Sequence, residues 1–451
     1  MPYDAIFEPL QFRRLAVKNR VFRSSISGRF DHEDGSLTQT RINWESKFAA
    51  GGVGAIISSY VPVLMEGRII AGYATIHRDD FIPLWAKLGE AVRAHGAKYI
   101  LQLSHSGRQL DLPGIHNQHR IPLSATGRRE PINGFRCKAM DRHEIDHVVA
   151  AFAASAWRAR EAGLDGCELH AANGYLFVQF LSSAINDRED EYGGPLENRA
   201  RFLLEVIAAI RDRVGRDFHL QVKLNGADHN NVLPWERHRG NTLREQIEVA
   251  RWCEQAGADG IHVSTGSSFP HPLNPPGELP IGLLATTYDT MISSGDHGLR
   301  NYLLFRYPWL RWIFRRIWYR QKKGQPVEGL SLDEGREFKR AVTIPVIVTG
   351  GLQTASVVAG AIEKGMCDGV AIARSLIANN DLVKIWQDGS DLPERPCTYC
   401  NRCLVNAPKN PLGCYEQARY PDYQTMIDTI MSIYSTHAGL KVPAEAGLVT
   451  R

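Results

Sequence analysis

His170, Asn173 and Tyr175 fall within six residues, directly behind the apolar-rich run Leu164–Leu169. An imidazole, a carboxamide and a phenol all donate hydrogen bonds, and donors gathered where a buried strand ends mark a site. A second group lies further along the chain. In VIVTGGLQT an apolar run passes through Gly350 and Gly351 into a helix, and in VAIARSL the next run stops at Arg374. Bare backbone amides in two such loops form a phosphate cradle, although glycines also serve any tight turn. The third group is CTYCNRCLVNAPKNPLGC, with Cys397, Cys400 and Cys403 at CxxCxxC spacing and Cys414 after ten further residues. Three thiolates so spaced surround one centre and a fourth closes it, as Zn²⁺ or an iron–sulfur cluster requires; unligated thiols are the remaining alternative.

Such groups need rigid elements to hold them. Short β-rich runs alternate with longer helical patterns, and the expected strands are Val21–Ser27, Val53–Tyr60, Lys98–Leu103, Gly166–His170, Phe218–Leu224, Gly260–Ser264, Pro345–Gly350 and Gly369–Ala373. Helices are expected near Thr40–Ala50, Phe81–His95, Arg142–Ala162, Leu196–Val214, Thr242–Ala256, Thr354–Lys364 and Asn379–Trp386. Segments such as EAGLDG and QAGADG turn from a helix end through a glycine into the next strand. Eight such units predict an α/β fold, a closed parallel (β/α)8 TIM barrel. No GxGxxG follows the first strand, which disfavours a doubly wound open sheet.

In a barrel of this kind chemistry collects at the strand ends. There the chain places Ser25 and Ser27, Gln102, His170 with Asn173, Lys223, Ser264 and Arg374. An amide such as Gln102 can pair with the edge of a pyrimidine-like ring, and a lysine such as Lys223 can stabilise negative charge on a reduced flavin. Both can equally face solvent. The formal charge of +4 is too modest to imply a nucleic-acid partner. No basic-then-apolar leader precedes Phe7 and no apolar run is long enough to span a bilayer, so a cytoplasmic location is the expectation. Cys167, Cys253 and Cys367 sit in apolar or helical contexts and read as ordinary buried thiols.

The segments KNRVFRSSISGRF, DGSLTQTRINWESKFAAGGVGAIISS, LQLSHSGRQ and ELHAANGYLFVQFLSSAINDREDEYGGPLENRARFLLEVIAAI resemble the Old Yellow Enzyme family, NADH:flavin oxidoreductases that act as FMN-dependent ene-reductases. The likeness runs from Phe7 to Asp388 apart from one insert. It implies that His170 and Asn173 hold a carbonyl or nitro oxygen, that Tyr175 donates a proton, that Gln102 meets the flavin edge and that Ser27 tunes the ring. Backbone and side-chain groups at Ser25, Ile26, Tyr60, Lys223, Gly350, Gly351, Ala373 and Arg374 would hold FMN. Two departures stand out: the family usually has Arg at the Lys223 position and a Pro–Met pair at Ser25–Ile26. Tyr192–Arg199 reads as a turn and helix start rather than as chemistry.

The cysteine arm is similar to the cluster-binding arm of trimethylamine dehydrogenase and 2,4-dienoyl-CoA reductase, which implies a [4Fe–4S] cluster, with Zn²⁺ the alternative. The expected organisation is therefore an FMN-binding barrel over residues 1–388 and a cysteine-cluster arm with its tail over 389–451. The insert, about 266–335, contains GLRNYLLFRYPWLRWIFRRIWYRQKKG, and a helix is expected over 300–323. On a wheel from Trp309, the residues Leu310, Ile313, Phe314, Ile317 and Trp318 join it on one half, with Arg311, Arg315 and Arg316 largely opposite. No acid lies between Asp296 and Glu328. Such a helix suits peripheral contact with an anionic membrane, from which a lipophilic substrate enters the barrel; the alternative is a lid or subunit contact.

Together these readings predict reduction of the activated C=C bond of an α,β-unsaturated carbonyl or related electron-poor alkene, with NAD(P)H as electron donor. Charge develops on the oxygen held by His170 and Asn173, and the Tyr175 phenol protonates the α-carbon. The alternative is an FMN/iron–sulfur dehydrogenase, like the amine dehydrogenases, that passes electrons to a redox partner.

Overall fold

The computed structural model describes residues 2–111, 121–229, 239–266, 271–322 and 324–435. Eight parallel strands close into a barrel: β1 Val21–Arg23, β2 Ala55–Ile57, β3 Lys98–Ser104, β4 Gly166–Ala171, β5 His219–Asn225, β6 Gly260–Ser264, β7 Val346–Val348 and β8 Gly369–Ile372. Each pairs with the next, and β8 pairs with β1 through Val370 and Val21. The expected (β/α)8 barrel is thus the observed one: β1, β2, β7 and β8 are shorter than expected, β3 and β4 are one residue longer, β5 is shifted by one and β6 is as expected. Strands β4, β5 and β6 are buried along their whole length, the pattern of a sheet covered on both faces.

Local chemistry starts the helices that cover the barrel. Asp141 and Glu144 form a capping box before Arg142–Glu161, and Thr242 and Glu245 form another before Leu243–Ala256. A short hairpin, Leu10–Gln11 with Ala16–Val17, closes the N-terminal end of the barrel. Its Leu10, Phe12, Leu15 and Val17 form one apolar cluster with Phe22, Ile57 and Ile100. Behind β1 a fully buried ion network joins Arg41 to Asp31 and Glu45, and Glu45 to Arg23. Cys167, Cys253 and Cys367 are buried, as expected.

The insert after β6 is helical. Ile281–Tyr288, Gly298–Arg306 and Pro308–Lys322 surround a small core of Ala285, Tyr288, Met291 and Phe305. The expected 300–323 helix is therefore broken at Tyr307 into two, and its residue 323 lies outside the described residues. No described helix is long and apolar enough to cross a membrane. The arm after Asp388 folds back on the barrel, where Asn43 donates to the Ile433 carbonyl at 2.8 Å. The tail beyond residue 435 lies outside the described residues.

Candidate active site

Strand β4 delivers the expected donors to the C-terminal mouth of the barrel. His170 is 6 % exposed; its Nε2 lies 3.1 Å from Asn173 Oδ1, and its Nδ1 lies 3.2 Å from Ser104 Oγ. Burial first, and Lys223 second, lower its pKa to about 3, so at neutral pH the ring is uncharged. With Asn173 Oδ1 only an acceptor, the proton sits on Nε2 and the Ser104 hydroxyl donates to Nδ1. Asn173 is left-handed, at φ 61°, a conformation asparagine tolerates better than most residues. Its backbone N–H donates to Asn225 Oδ1 at 3.1 Å, which pins the turn across to β5.

Tyr175 faces the same pocket. Its ring centroid is 4.7 Å from that of His170 and 5.2 Å from that of Tyr60, and Tyr73 lies beyond Tyr60 at 5.9 Å. Burial, with Tyr73 and Asp111 nearby, holds the phenol pKa above its ordinary value, so the hydroxyl keeps its proton.

Beneath these donors lies a buried polar layer. Gln102 on β3, Glu168 on β4 and Gln221 on β5 are in register, and Lys223 is in register with His170 on one side and His262 on the other. Gln102 Nε2 donates to Glu168 Oε1 at 2.7 Å, while its Oε1 is buried with no partner among the described residues. Lys223 is buried, and its pKa is lowered by that burial despite Glu168.

The loops after β7 and β8 lie beside this layer. Gly351 has φ 65°, and a side chain there would collide with the Val327 carbonyl. None of the backbone N–H groups of Gly350, Gly351, Ala373 and Arg374 donates to another described residue. Next to β1, Ser27 Oγ accepts from the Tyr60 backbone N–H at 2.8 Å, and the Ile26 carbonyl accepts from Arg23 and Ser59. Ser25, Ile26 and Ser27 are thereby fastened across the barrel mouth. An orphaned buried carbonyl, unpaired amides at two strand ends and a buried lysine fit a ring-and-phosphate cofactor such as FMN.

Arg374 reaches away from this cradle. Its guanidinium donates to the Pro276 carbonyl at 2.6 Å and to Asn401 Oδ1, and lies over the Tyr399 ring. Its side chain thus serves the insert and the cysteine arm, which leaves its backbone N–H as the group that can face the cradle. Cys397 N donates to Gln353 Oε1 at 2.9 Å, and Tyr399 Oη donates to the Gly351 carbonyl at 2.5 Å. Cys397, Cys400, Cys403 and Cys414 all line one small pocket, with Arg374 on its wall. Among the described residues no three His, Cys, Asp or Glu side chains converge at the spacing of a single metal ion. A cavity of about 700 Å³ lies elsewhere, between the insert and the tail, lined in part by Arg315, Tyr319, Tyr415 and Met426.

Sequence reasoning passed over Glu168, Gln221, His262 and Tyr399. For Glu168 a signal existed: a carboxylate two residues before His170 in an otherwise apolar strand must share its face and must be paired. Tyr399 and Asn401 offered none, because their partners are remote in sequence.

A model of the NADH:flavin oxidoreductase / NADH oxidase family matches residues 5–231. The chain is 29% identical over 434 residues to a NADH oxidase of Thermoanaerobacter brockii, covering 92% of this chain and 58% of that protein. To a cinnamate reductase of Clostridium sporogenes it is 30% identical, covering 90% and 56%. Among solved structures, a 2-naphthoyl-CoA reductase in complex with 2-naphthoyl-CoA matches with a TM-score of 0.74 at 25% identity, over 91% of this chain and 56% of that one. The chain spans little more than half the length of each of these three.

Proposed function

The chain belongs to the NADH:flavin oxidoreductase / NADH oxidase family, and from that premise we propose that it reduces the activated C=C bond of an α,β-unsaturated carbonyl or related electron-poor alkene, with NAD(P)H as reductant. The observation that carries this reading is the cluster of His170, Asn173 and Tyr175 above a buried Gln102 oxygen that has no partner among the described residues. FMN, when bound, supplies hydride. Gln102, Lys223 and the Ser25–Ser27 segment with Tyr60 would border its ring, and the amides of Gly350, Gly351, Ala373 and Arg374 its phosphate.

The remaining work belongs to the side chains. His170 Nε2–H, now on Asn173, and Asn173 Nδ2, 3.4 Å from the Thr265 carbonyl, can both turn to a substrate oxygen and hold the charge that develops there. Tyr175 retains its proton for the α-carbon, and Tyr60 and Tyr73 exclude water beside it. The test is anaerobic stopped flow: NAD(P)H bleaches the flavin and 2-cyclohexenone restores it. Flavin that stays reduced in the presence of enone overturns the proposal.

One observation favours a second reading, in which electrons leave through the arm. The arm is bonded directly to the cradle, through Tyr399 to Gly351 and through Cys397 to Gln353. Four thiols that line one pocket fit a [4Fe–4S] cluster, with Zn²⁺ the alternative for the same ligand set. Iron and acid-labile sulfide in the purified protein, with reoxidation by an added one-electron acceptor and not by enone, would favour this dehydrogenase and its redox partner.

The insert helix supports peripheral contact with an anionic membrane and hence a lipophilic substrate. Pro308–Lys322 has no buried residue, and Trp309 and Trp312 are 63 % and 58 % exposed. The wheel division expected for this helix is only half right. Phe314 packs inward on Phe305, while the outward face interleaves Trp309, Trp312 and Ile313 with Arg316 and Arg320. An interface of indoles among guanidinium groups suits the headgroup layer.

A further inference from the structure

We infer that Glu168 is a positioning residue: its carboxylate turns the Gln102 carboxamide so that the amide oxygen faces the flavin ring, and places a fixed negative charge beneath that ring. The inference rests on FMN occupying the barrel mouth and not on which substrate is reduced.

The geometry follows from valence. Glu168 is 0 % exposed and accepts three bonds, from Gln102 Nε2 at 2.7 Å, Gln221 Nε2 at 2.5 Å and His262 Nδ1 at 2.8 Å. An ionised carboxylate only accepts, so each partner must present a donor. Gln221 therefore turns its oxygen to His219, whose Nε2 is 2.9 Å away. His262 is fixed with its proton on Nδ1. Gln102 is left with its oxygen directed away from Glu168, buried and unpartnered among the described residues. An amide so held is an acceptor ready for a ring N–H. Burying that oxygen unpaired is unfavourable, and a bound ring would offset the loss.

Without the carboxylate, rotation by 180° about the last side-chain bond of Gln102 would present NH₂ to the ring N–H, donor against donor. Charge acts in parallel. Lys223 stands one step above Gln221 on β5, in register with His170 and His262, so Glu168 is the anion that offsets a buried cation at the same site. Removing that anion favours the anionic reduced flavin.

The experiment uses the full-length chain. FMN affinity is measured by titrating apoprotein and following flavin fluorescence, and the flavin midpoint potential by dye equilibration, in wild type, Glu168→Gln, Gln102→Ala and the double variant. Glu168→Gln should weaken FMN roughly tenfold and raise the potential, and should have no further effect on affinity once Gln102 is Ala. Equal losses of affinity in both backgrounds, or a folded Glu168→Gln protein with unchanged affinity and potential, would overturn the inference. If that variant does not fold, Glu168→Asp carries the test. It keeps the charge but withdraws the carboxylate from Gln102, so affinity must fall while the potential stays; unchanged affinity sinks the proposal. Turnover of 2-cyclohexenone is read separately, so failure of the substrate reading leaves these titrations interpretable.

Discussion

The Tyr399 hydroxyl donates to the Gly351 carbonyl across 2.5 Å, fastening the cysteine arm to the loop that leaves β7. Gly351 is held left-handed against the Val327 carbonyl, and the Tyr399 carbonyl in turn accepts from the Glu278 N–H at 2.9 Å, so insert and arm together brace this loop. Tyr399→Phe should weaken FMN binding roughly fivefold, the worth of one hydrogen bond, as read by flavin fluorescence titration. Unchanged affinity would mean that the arm does not support the cradle.

Tyr175→Phe removes the only proton of that side chain that a carbon can take. The oxidative half-reaction with 2-cyclohexenone should slow roughly 100-fold, with flavin reduction by NAD(P)H unaffected. Because burial raises the phenol pKa, the wild-type oxidative rate should show no loss from tyrosine ionisation between about pH 6 and 9. A fall within that window assigns the proton to another group.

Glu168 also carries an acid signature. Despite its burial, His262, Lys223 and Gln102 bring its pKa down to about 2, below the ordinary glutamate range. A carboxyl with a depressed folded-state pKa stabilises the fold fully above its unfolded value, and that stabilisation drains as pH falls towards 2. Between pH 6 and pH 3 the urea midpoint of wild type should therefore drop further than that of Glu168→Gln. Parallel declines would show that the carboxyl is not held ionised.

Arg41 is buried against two carboxylates, with Nε 3.1 and 3.0 Å from the Asp31 oxygens and Nη1 3.6 Å from Glu45. Arg41→Ala strands both acids in the core and should cost about 3–5 kcal/mol in urea unfolding. A loss under about 1 kcal/mol would mean water replaces the guanidinium.

Vesicle flotation tests the insert. Wild type should float with phosphatidylglycerol vesicles at low salt and not with phosphatidylcholine alone, and Trp309→Ser with Trp312→Ser should cut recovery at least tenfold. Flotation indifferent to lipid charge and to both tryptophans removes the membrane contact. A change of sedimentation coefficient in the same variant, with flotation unchanged, would identify a subunit contact instead.

Much of this protein was legible in one dimension because its causes are local. Alternating strand and helix patterns, helix caps and glycine turns follow from neighbours a few residues apart, and they yield the barrel; strand-end position then selects His170, Asn173 and Tyr175. Tertiary structure decided what those residues touch. That Gln102 offers its oxygen depends on a carboxylate one strand away, and that Arg374 turns from the cradle depends on Asn401 and Tyr399 in the arm. The outward face of Pro308–Lys322 was likewise set by where Phe305 lies, not by the helical wheel. Hydrogen-bond valence and packing between segments tens of residues apart act only once the chain has closed, so no spacing along the sequence records them.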